Sequence, residues 1–271
     1  MPEKVIVGTS GYSYDDWRGV FYPEDLPKGK MLDYYARHFN GVEVNSTYYR
    51  IPHPAVFYQM ERKTPPEFEF VVKVHQETTH KRQKNAEAMQ QLLEAVQPLV
   101  EAGKFSGFLA QFPYSFKNTP ENRAYLVETR QLAGDFPLFV EFRNWTWEQP
   151  QTYRFLQENG LEFVNVDQPR LRGLLKPGAV VTGRLGYVRF HGRNRQNWWN
   201  GTNETRYDYL YSRDELDEWL IRISQIMKKS FKTYIFFNNH PQGKAIRNAS
   251  MLKEMLQHQL GFWEGRGDQT E

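Results

Sequence analysis

The chain has 271 residues, 39% of them hydrophobic, with a formal net charge of +3 and no cysteine. That length supports one large α/β core, and no composition shift divides it, so a single domain over 1–261 and a flexible tail over 262–271 are expected. The near-neutral charge gives no global field for polyanions, and the missing cysteine removes disulfides, iron–sulfur clusters, thiolate zinc sites and cysteine nucleophiles.

Val5-Ile6-Val7-Gly8 reads as a first, short apolar strand. This opening run is too short for a signal peptide, and no later stretch is long enough to span a bilayer, so a cytoplasmic protein without a membrane partner is expected. The strand enters a loop crowded with Tyr12, Tyr14, Trp17, Phe21 and Tyr22, rings that either pack the loop onto its own domain or stack on a ligand. Residues 31–39 form a helix pattern, with Leu32, Tyr35, Ala36 and Phe39 at three-and-four spacing, and Gly41 ends it. In the second strand Val42 and Val44 alternate with Glu43 and Asn45, ahead of Tyr48 and Tyr49. A helix over 55–63 is stopped by Pro65-Pro66. The third strand, 70–75, sets Lys73 and His75 against Val72 and Val74. A lysine on the inner face of a strand needs a carboxylate, Glu43 or Glu141, or a bound anion.

A polar loop through Thr78, Thr79 and His80 precedes an amphipathic helix over 87–102, with Gly103 at its end. The fourth strand, 108–113, has Gln111 at its polar end, and a helix over 121–132 follows. The fifth strand, 138–143, alternates Val140 and Phe142 with Glu141 and Arg143, and leads into Trp145 and Trp147. A helix over 151–158 and a sixth strand over 163–167 come next, the strand alternating Val164 and Val166 with Asn165 and Asp167. The pattern loosens over 169–184. In the seventh strand, Tyr187-Val188-Arg189-Phe190-His191-Gly192-Arg193, apolar Val188 and Phe190 alternate with Arg189 and His191. Residues 194–211 have no period and are rich in Asn, Arg, Trp and Tyr; loops of that length line sites or move. A helix over 214–229, an eighth strand over 233–237 ending in Asn238-Asn239-His240, and a helix over 245–260 complete the pattern.

Eight strands with helical patterns in nearly every interval indicate a single (β/α)8 TIM-type barrel with parallel strands, whose working face is the C-terminal ends of the strands. The polar pairs fall there. A doubly wound sheet is the alternative, but Gly8-Thr9-Ser10-Gly11 lacks the spacing of a dinucleotide loop.

Several ordered motifs also resemble the YecE-like family of bacterial and archaeal proteins over nearly the whole chain. They are Gly8-Thr9-Ser10-Gly11-Tyr12 with Trp17, Glu43 through Tyr49, Lys73 with Thr79-His80, Gln111-Phe112-Pro113, Glu141-Phe142-Arg143 with Trp147, Arg189 through Arg193, and Phe237-Asn238-Asn239. The resemblance implies a TIM barrel. It brings no activity with it; the likeness of that barrel to endonuclease IV suggests DNA binding at the level of fold alone.

The proposed mouth therefore holds the acids Glu43, Glu141 and Asp167, the cations Lys73, Arg143, Arg189 and Arg193, the histidines His80, His191 and His240, and the neutral groups Asn45, Gln111, Asn238 and Asn239. This mixture points to an enzyme of hydrolase type acting on a small phosphorylated or otherwise anionic substrate. Arginines and Lys73 hold the anion, His191 moves a proton, Glu43, Glu141 or Asp167 supports it, and Tyr12, Trp17, Tyr48, His80 and Trp147 complete the binding surface. A metal-dependent phosphodiesterase, with zinc or manganese on Glu43, Glu141, Asp167, His80, His191 and His240, is disfavoured, because no close ligand pair marks the chain and cations share the ring. The runner-up is a non-catalytic protein that holds a nucleotide or single-stranded nucleic acid on its basic ring and aromatics, Trp145, Trp198 and Trp199 included. A barrel whose polar ring is only a salt-bridge lattice is the third reading. The oligomeric state is left open.

Overall fold

The computed structural model describes residues 5–264. Eight strands, β1 (Val5–Thr9), β2 (Gly41–Val44), β3 (Glu69–Lys73), β4 (Phe105–Gln111), β5 (Leu138–Glu141), β6 (Glu162–Asp167), β7 (Leu185–Phe190) and β8 (Lys232–Phe237), form one parallel sheet in the order β1-β8-β7-β6-β5-β4-β3-β2. Helices α1 (Met31–Tyr35), α2 (Pro54–Arg62), α3 (Asn85–Glu101), α4 (Pro120–Leu132), α5 (Pro150–Glu158), α6 (Asn203–Tyr207), α7 (Arg213–Lys229) and α8 (Lys244–Glu264) occupy the crossovers, so the fold is the expected (β/α)8 barrel. The interval from β6 to β7 carries no helix.

The barrel closes between β1 and β2 without a regular ladder. An isolated bridge joins Ser10 to Glu43, and Gly11 N donates to Glu43 O at 2.8 Å. Lower in the seam, the Asn40 amide accepts from Val7 N and donates to Val5 O, each at 3.0 Å, while the Tyr35 hydroxyl accepts from Thr9 N at 2.8 Å and donates to Gly41 O at 3.2 Å. Side chains thus satisfy backbone groups that would otherwise be unpaired at a strand edge. The approach is close enough to require glycine: a Cβ on Gly8 would stand 2.1 Å from Gly41 O.

Both faces of the strands are buried, as a barrel wrapped in helices demands. α7 buries Leu216, Trp219, Leu220, Ile223 and Ile226, the stripe its spacing predicts, and starts on a capping box between Ser212 and Glu215. Elsewhere the elements differ from the sequence reading for local reasons. β4 begins at Phe105 rather than at 108, because the sheet register shifts at the adjacent Phe70/Val71 step and Gly107 takes φ +131°, interrupting the apolar run. α1 stops at Tyr35, four residues before the predicted end, and β7 ends at Phe190, leaving His191 to Arg193 beyond the ladder. α6 lies inside the expected loop 194–211. α8 runs to Glu264, three residues into the predicted tail; the rest of that tail, 265–271, and residues 1–4 lie outside the described residues. Among the described residues no helix is long and apolar enough to cross a membrane.

Candidate functional site

The parallel register decides which polar side chains meet inside the barrel. Cα partners in neighbouring strands share a face, and Gln111 pairs with Glu141, Val166 with Arg189, and Glu43 with Val71, two residues before Lys73. Glu43, Lys73, Gln111, Glu141 and Arg189 therefore all point inward near the C-terminal ends of their strands.

Arg189 is the hub. Its Nη2 donates to Glu43 Oε1 at 2.6 Å and its Nη1 to Glu141 Oε2 at 2.5 Å. All three side chains are buried, so each charge loses its hydration and depends on the others. A guanidinium suits this place because its rigid fork reaches two carboxylates on opposite sides. Glu43 also accepts from the Tyr187 hydroxyl at 2.7 Å. Glu141 has further partners, Arg143 Nε at 2.9 Å and His191 Nε2 at 3.0 Å. Burial alone would raise its carboxyl, but Arg189, His191 and Arg143 outweigh that and hold it well below the usual carboxylate range.

His191 lies beneath the site surface, with no exposed area. The Asn238 amide donates to its Nδ1 at 3.1 Å, which places the ring proton on Nε2, facing Glu141. Burial and the nearby Arg143 cation push its pKa down to about 3, so the ring is neutral at pH 7. A neutral imidazole with both nitrogens engaged orients Glu141 and Asn238. It is not placed as the proton-transfer group that the strand pattern suggested.

Above this floor opens a cavity of about 770 Å³. Lys73, Arg143 and Arg189 line it, together with Asn45, Gln111 and Asn238 from the predicted ring and with Tyr48 and His80 from the loops after β2 and β3. Lys73 Nζ donates to Gln111 Oε1 at 3.2 Å and stands 4.6 Å from the centroid of the Tyr48 ring. Burial and Arg189 push its pKa down to about 8. His80 sits on a single π-helical turn, Glu77–Lys81, edge-on to Tyr48 at 5.0 Å; burial, Lys73 and Arg143 lower its pKa to about 4. Arg189 keeps Nε, and Asn45 keeps Oδ1, buried without a partner among the described residues.

The other wall comes from the 194–211 segment. The Arg143 guanidinium packs over Trp198 at 5.3 Å, Trp199 meets Tyr114 edge-on at 5.0 Å, and Asn203 donates to the Tyr49 hydroxyl at 3.4 Å. His240 from the predicted ring and Trp199 from the runner-up reading also line the cavity, and Tyr114, Tyr207, Tyr14 and Arg206 join them without having been singled out as site residues. For Arg206 and Tyr207 the signal was the aperiodic, aromatic-rich composition of the 194–211 segment, which marks a site wall but not the residues that face inward.

Several predicted residues do not join the cavity. Asp167 pairs in register with Phe190, not with Arg189, and so faces the helical layer. There it accepts from Arg193, from the Tyr211 hydroxyl at 2.7 Å and from Trp219 Nε1 at 2.7 Å. Arg193 also reaches Glu215 at 3.1 Å. These two predicted site residues thus tie β6 and the turn after β7 to α7. Asn239 is buried and holds Tyr209 O and Asn248. Trp17 donates to His240 O at 2.8 Å, Trp147 donates to Phe116 O at 2.7 Å within an aromatic stack, and Tyr12 packs near Tyr35; none lines the cavity. With Asp167 turned outward and Glu43 and Glu141 occupied by Arg189, no group of three or more His, Asp or Glu side chains suited to a metal ion gathers among the described residues.

Comparison with known proteins agrees with this architecture. The chain is 30% identical over 269 residues to the UPF0759 protein YunF of Bacillus subtilis (strain 168), covering 93% of this chain and 94% of that protein. It is 41% identical to a crystal structure of a DUF72 family protein from Thermotoga maritima, with TM-score 0.87 over 94% of this chain and 99% of that one. A DUF72 family protein from Enterococcus faecalis superposes at TM-score 0.85 with 28% identity, covering 93% and 95% of the two chains. A more distant structure, of SacUVDE, superposes at TM-score 0.53 with 9% identity and shows the barrel fold alone. The family model described as "Protein of unknown function DUF72" matches residues 6–268, and the chain belongs to that family.

Proposed function

We propose that the barrel mouth is the active site of an enzyme for a small substrate bearing one anionic group, a phosphate or a carboxylate. One observation carries this reading: the cluster at the cavity floor has three cations, Lys73, Arg143 and Arg189, against two carboxylates, Glu43 and Glu141. His191 is neutral, so one positive charge is left over in a site largely withdrawn from water, where an anion would balance it. Lys73, Arg143 and Arg189 line the cavity floor, Arg206 lines its wall, and Arg189 Nε is a donor without a partner among the described residues. Tyr48, Trp198, Trp199 and Tyr207 supply flat walls for the uncharged part of the substrate. The acid–base role passes from His191 to Lys73, whose pKa of about 8 lets it hold or release a proton near neutrality.

The test is thermal unfolding with inorganic phosphate, sulfate, sugar phosphates and small carboxylates, with Arg143→Met alongside. A ligand at a hundred times its Kd stabilises the fold by about 2.7 kcal/mol. Stabilisation of the wild type that is lost in Arg143→Met supports the reading. Stabilisation by oligonucleotides alone, abolished by salt, would replace it with nucleic-acid binding.

A further inference from the structure

Lys73 differs from the other two cations of the floor. Arg143 and Arg189 are each fixed by a carboxylate, at 2.9 Å and at 2.5 and 2.6 Å. Lys73 Nζ touches a neutral amide oxygen and the face of Tyr48, and no carboxylate stands within ion-pairing distance of it among the described residues. It is half-buried at the end of β3, it lines the cavity, and two arginines share the floor with it. Desolvation beside other cations is the arrangement that turns a lysine from a charge into a nucleophile, because both effects favour the neutral amine. Arg143 and Arg189 keep their charges and line the cavity, and a protonated imine on Lys73 would restore the surplus positive charge that an anion balances.

We infer that Lys73 is a covalent catalyst, its ε-amino group forming an imine with the carbonyl carbon of a small aldehyde or ketone whose carboxylate or phosphate is held by Arg143 and Arg189. The inference rests on the anion reading of the cavity and narrows its substrate to carbonyl compounds. The neutral amine adds to the carbonyl carbon, and the carbonyl π pair moves to oxygen, which takes up a proton. The resulting carbinolamine loses the hydroxyl as water, together with a proton from nitrogen, and the carbon–nitrogen double bond forms. Amine and carbonyl thus give imine and water with no oxidant or reductant. The protons exchange with solvent, which reaches the cavity past exposed Tyr49 and Trp199. His80, kept neutral by burial and the nearby cations, does not add a competing positive charge when the imine becomes cationic.

The experiment is reductive trapping of the full chain with cyanoborohydride and either glyoxylate, a carboxylate aldehyde, or pyridoxal 5′-phosphate, a phosphate aldehyde, followed by intact mass and peptide mapping. The same protein is titrated calorimetrically with sulfate. The expected result is one reduced adduct on Lys73, formed on the order of tenfold or more faster than at surface lysines, suppressed by sulfate and absent from Lys73→Arg. The faster arm tells whether the anion pocket prefers carboxylate or phosphate. Label spread over surface lysines to the same extent in wild type and Lys73→Arg overturns the inference. If sulfate binds and Lys73 is not trapped, the imine is overturned while the anion site stands; if sulfate does not bind and nothing is trapped at Lys73, both fall. Mapping on the wild type decides the matter even where the variant folds poorly.

Discussion

Replacing Arg189 by methionine keeps much of the side-chain volume and removes the charge that joins β2, β5 and β7. The guanidinium holds Glu43 at 2.6 Å and Glu141 at 2.5 Å, and both carboxylates are fully buried. Glu141 would retain Arg143 at 2.9 Å and His191 at 3.0 Å. Glu43 would keep the Tyr187 hydroxyl at 2.7 Å, a neutral donor, and would become a buried charge without a counter-ion among the described residues. Breaking a buried pair from one side costs about 3–5 kcal/mol. For a chain of this size each kcal/mol lowers the melting temperature by roughly 2–4 °C, so a drop on the order of 10 °C is expected. Circular-dichroism melts at pH 7 measure it. Glu43→Gln in the Arg189→Met background removes the stranded charge, and the double variant is expected to be more stable than the single one. If Arg189→Met melts within about 1 kcal/mol of wild type, or if Glu43→Gln restores nothing, the hub argument is refuted.

Sulfate affinity should fall as pH rises through about 8 in the wild type, because Lys73 loses its proton there, and Lys73→Arg should flatten that profile; calorimetry across pH 6 to 10 tests both, sulfate keeping one charge state throughout. His191 takes up a proton near 6.5 when unfolded but not until about 3 when folded, so the folded state loses stability as pH falls from 6.5 towards 3. His191→Gln should remove one proton from that slope, about 1.4 kcal/mol per pH unit, in denaturant titrations at several pH values. Glu141 acts lower: its depressed carboxyl contributes stability that is present above its ordinary value of 4.5 and lost as pH falls through the folded value. Asp167→Asn weakens bonds from Arg193, Tyr211 and Trp219 and should cost roughly 3 kcal/mol of stability while leaving sulfate affinity unchanged, which separates this residue from the cavity in one pair of measurements.

Much of the barrel was legible because a strand buried on both faces still alternates where one face carries chemistry. Val42 and Val44 against Glu43, and Val188 and Phe190 against Arg189, mark the strands and the inward face together. The same rule misplaced Asp167, whose strand alternates identically. Alternation identifies two faces but does not say which one looks inward; that is set by register, and β6 turns its polar face to α7, where Trp219 and Tyr211 supply the donors. The indole of Trp147 was equally ambiguous, since a tryptophan near a strand end serves a core stack or a ligand with the same residue type. The wall formed by Trp198, Trp199 and Tyr207 depends on a loop path that no periodicity encodes.

The same physics explains why the group expected to move protons and the group proposed to do so differ. His191 and Lys73 both reach the C-terminal end of the barrel, and for each the first cause of its shift is burial, which favours the neutral form. A histidine starts near neutrality, so the shift carries it to about 3 and out of the working range, even with the Glu141 carboxylate at 3.0 Å. A lysine starts at 10.5, so desolvation of the same kind brings it to about 8 and into that range. Buried beside arginines, a histidine stays neutral and a lysine comes to titrate near neutral pH. The Arg189 hub directs Glu43 and Glu141 at itself, so that among the described residues neither forms an ion pair with Lys73, and their longer-range pull on its proton does not offset burial and Arg189.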